Sequence, residues 1–118
     1  MSKYRPKHPA PDGNHSLAPK ALRGVWGATY KHEAYYTQID GKKVVLRDSS
    51  KLGGSFLDWQ LMVGNIHADI EIKMPKKKSN FTDGEEYFME NSESRFFVIT
   101  TEQEFIDLVQ ALVVESKQ

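Results

Sequence analysis

Residues 56–73 read F-L-D-W-Q-L-M-V-G-N-I-H-A-D-I-E-I-K, two runs of strand-forming residues on either side of Gly64-Asn65. A two-residue turn of that kind joins antiparallel strands and sets their register. With Val63 opposite Ile66, Gln60 faces Asp69, Asp58 faces Glu71 and Phe56 faces Lys73. Side chains alternate across a sheet, so Asp58, Gln60, Asp69, Glu71 and Lys73 share one face while Trp59, Leu61, Ala68, Ile70 and Ile72 line the core face. Directly opposed residues have Cβ atoms about 4.5–5.5 Å apart, and like charges placed there destabilise a sheet. A cation would compensate. A hard divalent ion such as Mg²⁺ suits carboxylate and backbone oxygens with waters retained, and Lys73 beside it can orient a water or steady a phosphoryl oxygen. That inventory is the one required for metal-assisted phosphodiester hydrolysis. The same pattern also suits the solvent side of a half-exposed hairpin, and the spacing alone does not choose between them.

Working outward, Asn14 to Gly27 places Leu17, Ala21, Leu22 and Val25 at helical spacing, which predicts a short helix over about 16–25 with Pro19 in its first turn. Asn14 or Ser16 is its N-cap, and Asn14 alternatively reaches towards the metal site. T-Y-K-H-E-A-Y-Y-T-Q-I and K-K-V-V-L-R predict two strands joined at Asp40-Gly41. After the main hairpin, P-K-K-K-S-N is a basic loop whose Lys76, Lys77 and Lys78 either hold phosphates or are simply solvated. T-D-G-E-E-Y-F-M-E-N predicts a helix with apolar contacts from Phe81, Tyr87 and Phe88. R-F-F-V-I-T predicts a buried strand. Thr101 and Glu104 form a capping box for a last helix with Phe105, Leu108, Val109, Leu112 and Val113 on its apolar stripe. The expected order is α-β-β-β-β-α-β-α, an α/β domain whose mixed sheet is flanked by helices.

At 118 residues the chain suits one domain. Residues 14–118 are expected to form it, and the Pro-rich basic residues 1–13 an extended arm. The absence of cysteine excludes thiolate zinc sites, disulfides and cysteine nucleophiles. No apolar run reaches the roughly 18 residues of a membrane span, and the N-terminus lacks the apolar stretch of a secretory signal, so a cytoplasmic location is expected. The net charge of zero conceals an asymmetry: residues 1–51 hold 10 Lys/Arg against 4 Asp/Glu, and residues 52–118 hold 6 against 12. The basic half can meet phosphates. His15, His32 and His67 have no partner at metal-ligand spacing, and His15 is the strongest of the three as a site residue. Trp26, Tyr35, Tyr36 and Trp59 are expected in the core rather than as stacking platforms.

The runs G-G-S-F-L-D-W-Q-L-M-V-G-N-I-H-A-D-I-E-I-K, F-T-D-G-E-E-Y-F and R-F-F-V-I-T-T-E-Q-E-F-I-D-L-V resemble the PD-(D/E)xK nuclease superfamily, and are most similar to the small VRR-type nucleases, which are akin to Holliday-junction resolvases and often found in phages. D-G-N-H-S-L-A-P-K-A-L-R-G-V-W-G-A is similar to that family's opening helix. The resemblance implies a restriction-endonuclease-like core and a Mg²⁺- or Mn²⁺-dependent nuclease, either a general DNA endonuclease or one specific for branched or junction DNA. It implies Asp58 and Glu71 as metal ligands, the Ile72 carbonyl as a third and Lys73 as the catalytic lysine. A nuclease this small often needs a second copy to cut two strands, so a homodimer is expected. Asn14, Gln60 and Glu85 are additional candidates. Leu57 stands where the family has proline. Glu85 stands near its glutamine, where a capping box with Thr82 also accounts for it. A hairpin over about 34–47 is extra. The competing expectation is a catalytically inactive phage protein of the same fold that engages nucleic acid or a host protein.

Overall fold

A computed structural model describes residues 15–49, 57–73, 81, 83–91 and 95–117. Expectations for the arm at 1–13, for Asn14, Phe56, Thr82 and Lys76 to Lys78, and for the side chain of Phe88, lie outside the described residues.

Helix α1 (Leu17–Trp26) leads into strands β1 (Thr29–Lys31), β2 (Ala34–Ile39), β3 (Lys42–Asp48), β4 (Trp59–Val63) and β5 (Ile66–Ile72). Helix α2 (Asp83–Asn91), strand β6 (Arg95–Ile99) and helix α3 (Glu102–Ser116) follow. The strands form one sheet in chain order, antiparallel from β1 to β5 and parallel between β5 and β6. The result is an α/β protein with a six-stranded mixed sheet among the described residues, flanked by helices. No helix among those residues is long and apolar enough to cross a membrane.

One strand more precedes α2 than the sequence pattern predicts. The run 29–39 is broken at His32 and Glu33, whose φ angles of 53° and 66° are both left-handed. Two consecutive left-handed residues make the tight turn that suits a hairpin, yet the residues that favour it are Asn, Asp and Gly, so neither side chain advertises the break. Asp40-Gly41, with φ 52° and 80°, turns the chain as its sequence signals. At the main hairpin Gly64 has φ 59°, and a Cβ there would approach the Ser116 side chain at 3.5 Å. Glycine relieves the backbone at that position.

The predicted hairpin register is observed: Val63 opposes Ile66, Leu61 opposes Ala68, Gln60 opposes Asp69 and Trp59 opposes Ile70. The ladder stops there, so Asp58 is not a strand partner of Glu71 but lies in the bend that precedes β4.

On the core face of the sheet Val44, Leu46, Trp59, Leu61, Val63, Ile70 and Ile72 are buried together with Leu22, Phe105 and Val109 from α1 and α3. These two helices pack on each other and on this one face.

Four apolar side chains depart from expectation. Val25 and Tyr36 are exposed rather than core, Tyr87 on α2 is exposed as well, and in β6, expected to be buried, Phe96 is exposed and only Ile99 is fully buried. Val25 lies at the last turn of α1, and Tyr36 pairs with Val45 on the sheet face opposite the core. The capping box of α3 forms by half: Thr101 Oγ1 accepts from Glu104 N at 3.1 Å, but the Glu104 carboxylate accepts from Thr100 N at 2.7 Å, one residue before the cap.

Candidate active site

The end of the sheet where β4 begins and β5 finishes gathers the charged residues. An antiparallel ladder offers a hydrogen-bonded pair at every second residue, so the next pair beyond Trp59 and Ile70 would join Leu57 to Ile72. The chain leaves the ladder instead. Leu57 is buried and its carbonyl accepts from Ser49 Oγ at 2.6 Å, while Ser49 N donates to the Asp58 carbonyl at 2.9 Å. The Asp58 carboxylate takes the vacated role, and its Oδ2 accepts from Ile72 N at 2.8 Å. A strand residue's N–H and C=O point to the same edge, so the Ile72 carbonyl faces the Asp58 side too.

Glu71 lies between the core residues Ile70 and Ile72 in sequence and therefore on the other face, yet it is only 4% exposed. Its Oε2 is 3.3 Å from Lys73 Nζ, and its Oε1 is buried with no hydrogen-bond partner among the described residues. Burial, then the negative charges of Asp58 and Glu85 and hydrogen bonding with the Glu85 carboxyl, push the Glu71 pKa from its ordinary 4.5 up to about 9, against the opposing pull of Lys73. In the metal-free protein, burial and the neighbouring carboxylates therefore favour the protonated form of Glu71.

Glu85 enters from α2. Its Oε1 lies 3.8 Å from Lys73 Nζ, so the lysine stands between two glutamates, with its ammonium 5.3 Å from the centre of the Phe81 ring. On the other side of Asp58, His15 Nδ1 is 3.7 Å from Asp58 Oδ1 and His15 Nε2 is 3.5 Å from Asp48 Oδ2. The imidazole stacks on Trp59 with ring centres 4.9 Å apart, and Trp59 Nε1 donates to the His15 carbonyl at 3.0 Å.

The structure thus brings together Asp58, Glu71, Lys73, Glu85 and the backbone of Ile72. Gln60 pairs with Asp69 on the adjoining ladder rung, and His32 and His67 are exposed. Asp48 is a residue the sequence pattern does not single out. Its signal is faint, an acidic residue ending a strand, and only the pairing of β3 with β4 sets it opposite Trp59. Among the described residues no three His, Asp or Glu side chains converge in a ready metal cage. Two carboxylates and a carbonyl still suit Mg²⁺, which keeps several waters and takes one or two carboxylates. The buried, unsatisfied Glu71 Oε1 is the kind of oxygen a cation would satisfy.

No family model matches the chain, and neither curated proteins nor solved structures include a significant match to it.

Proposed function

We propose that this protein is a Mg²⁺- or Mn²⁺-dependent DNA endonuclease with a restriction-endonuclease-like core. The observation that carries the reading is Glu71, a buried carboxyl with an unsatisfied oxygen, set beside Asp58 and Lys73 where β4 and β5 diverge. Asp58, Glu71 and the Ile72 carbonyl would hold the ion. When bound, the ion supplies Lewis-acid polarisation of the scissile phosphate and a lowered pKa for an attacking water.

The chain's own groups do the rest. Lys73, held by Glu71 and Glu85, presents an ammonium to a phosphoryl oxygen as charge develops there. Ile72 N–H fixes the rotation of the Asp58 carboxylate, and His15, braced by Asp48 and Trp59, limits its remaining freedom. Such outer partners orient ligands and tune their basicity. Lys20 and Arg23 on the exposed side of α1 offer positive charge for the DNA backbone.

Incubating labelled four-way junction, flap, duplex and single-stranded DNA with Mg²⁺ or Mn²⁺ tests this reading. Cleavage of at least one substrate, abolished by EDTA, is the expected result; no cleavage of any of them with either ion overturns it.

A further inference from the structure

Beside the carboxylates, on the β1–β2 side, lies a second feature that metal chemistry does not use. A pocket of about 270 Å³ is lined by Tyr30, His32, Glu33, Tyr35, Arg47, Asp48 and Trp59. Tyr30 and Tyr35 have ring centres 4.8 Å apart, and Tyr35 meets the edge of Trp59 at 6.3 Å. Trp59 is buried and its ring already stacks on His15, so it forms the floor. Tyr30 is 60% exposed on the edge strand and forms an open aromatic wall. Arg47 contributes donors, and Glu33 and Asp48 contribute acceptors. The turn that sets this wall is the one with two left-handed non-glycine residues, and backbone of that kind concentrates at ligand sites.

We propose that this pocket receives an unpaired base of the DNA strand being cut, which makes the substrate a DNA with a single-stranded segment beside the scissile phosphate. The inference rests on the nuclease reading above. Aromatic walls with a mixed donor and acceptor rim match a nucleobase, which offers a flat face and edges of both kinds. Pockets for whole drug-sized ligands run to roughly 300–1,000 Å³, so this one has room for a single base. Asp48 and Trp59 line the pocket and also brace His15 beside Asp58, which places a bound base next to the carboxylates. A neighbouring groove of about 660 Å³ shares Tyr35 and is lined by Lys20 and Arg23, with the Arg23 guanidinium 6.0 Å from the Tyr35 ring. The phosphates flanking the base would meet those cations.

The test compares a blunt duplex with the same duplex carrying a short single-stranded overhang, with 2-aminopurine at each overhang position in turn. Binding of the full chain is followed by anisotropy and 2-aminopurine fluorescence in Ca²⁺, and cleavage is scored separately in Mg²⁺. The overhang is expected to bind on the order of tenfold more tightly, with quenching at one position, because stacking on an aromatic side chain contributes that much per base. Tyr30→Ala is expected to bring the overhang-to-blunt affinity ratio near one and abolish the quenching, and Tyr30→Phe to keep both. Equal affinity for the two DNAs, or an undiminished preference in Tyr30→Ala, overturns the pocket assignment even where Mg²⁺ supports cleavage. Preferential binding without cleavage of any DNA overturns the nuclease reading and leaves the pocket standing, and failure to bind either DNA overturns both.

Discussion

Asp58→Asn is expected to lower Mg²⁺-dependent DNA cleavage by on the order of 10³-fold or more. The ion's contribution to the transition state is several kcal/mol, and each 1.36 kcal/mol or so is a factor of ten in rate. Asparagine keeps an oxygen to accept from Ile72 N–H, as Asp58 Oδ2 does at 2.8 Å, so the bend before β4 is preserved. What is lost is the charge. Because the metal-free Glu71 carboxyl is held in its protonated form, loss of the Asp58 charge removes no repulsion between the two carboxyls, and the variant's apo stability should stay close to the parent's. Lys73→Ala should behave differently, losing cleavage while still binding metal, since neither proposed carboxylate ligand is touched. Rates from single-turnover assays, with urea unfolding of each metal-free variant, separate the two cases. An Asp58→Asn protein that cuts within tenfold of the parent rate would remove Asp58 from the site.

The second large effect is on stability against pH. Glu71 is raised from 4.5 to about 9 in the folded protein, chiefly by burial. Between those values the folded chain holds a proton that the unfolded chain has released. Stability therefore falls as pH rises through this window: the contribution of the protonated carboxyl is fully present below about 4.5 and lost once pH passes about 9. One proton corresponds to a slope of at most about 1.4 kcal/mol per pH unit. Glu71→Gln has the same shape and no titration, so its curve should lack this slope, and in metal-free buffer at pH 8 it should be more stable than the parent. Urea unfolding from pH 5 to pH 9 in EDTA measures the difference, and parallel curves for the two proteins would show that Glu71 is ionised throughout.

The parts of this arrangement that were legible in the sequence are the local ones. Gly64-Asn65 announces a turn, and the alternation on either side of it sets Gln60 against Asp69 and sends Ile70 and Ile72 to the core. The apolar spacing of α1 and α3 likewise marks their buried faces, apart from Val25. What sequence pattern missed depends on contacts between distant segments or on strained backbone. Nothing in H-E announces a left-handed turn, so β1 was hidden within a longer strand. The ladder's end at Trp59 follows from Leu57 and Ser49 engaging each other, which turns Asp58 from a cross-strand partner into a cap on Ile72 N–H. Glu85 reads locally as a helix-start residue, and only the packing of α2 brings it to Lys73. His15 and Asp48 lie far apart in the chain, and each is ordinary until Trp59 stands between β3 and α1.

Thermal unfolding with and without Mn²⁺, for the parent and for Asp58→Asn combined with Glu71→Gln, shows whether these two carboxyls together hold a divalent ion. A ligand that binds only the folded chain stabilises it by about 1.4 kcal/mol at ten times its Kd, which for a domain of this size is a rise of several degrees in Tm. The parent is expected to show that rise, saturating with metal concentration, and the double variant to show none. A double variant that gains the parent's full Mn²⁺-dependent shift would mean that the ion is held somewhere other than these two carboxylates.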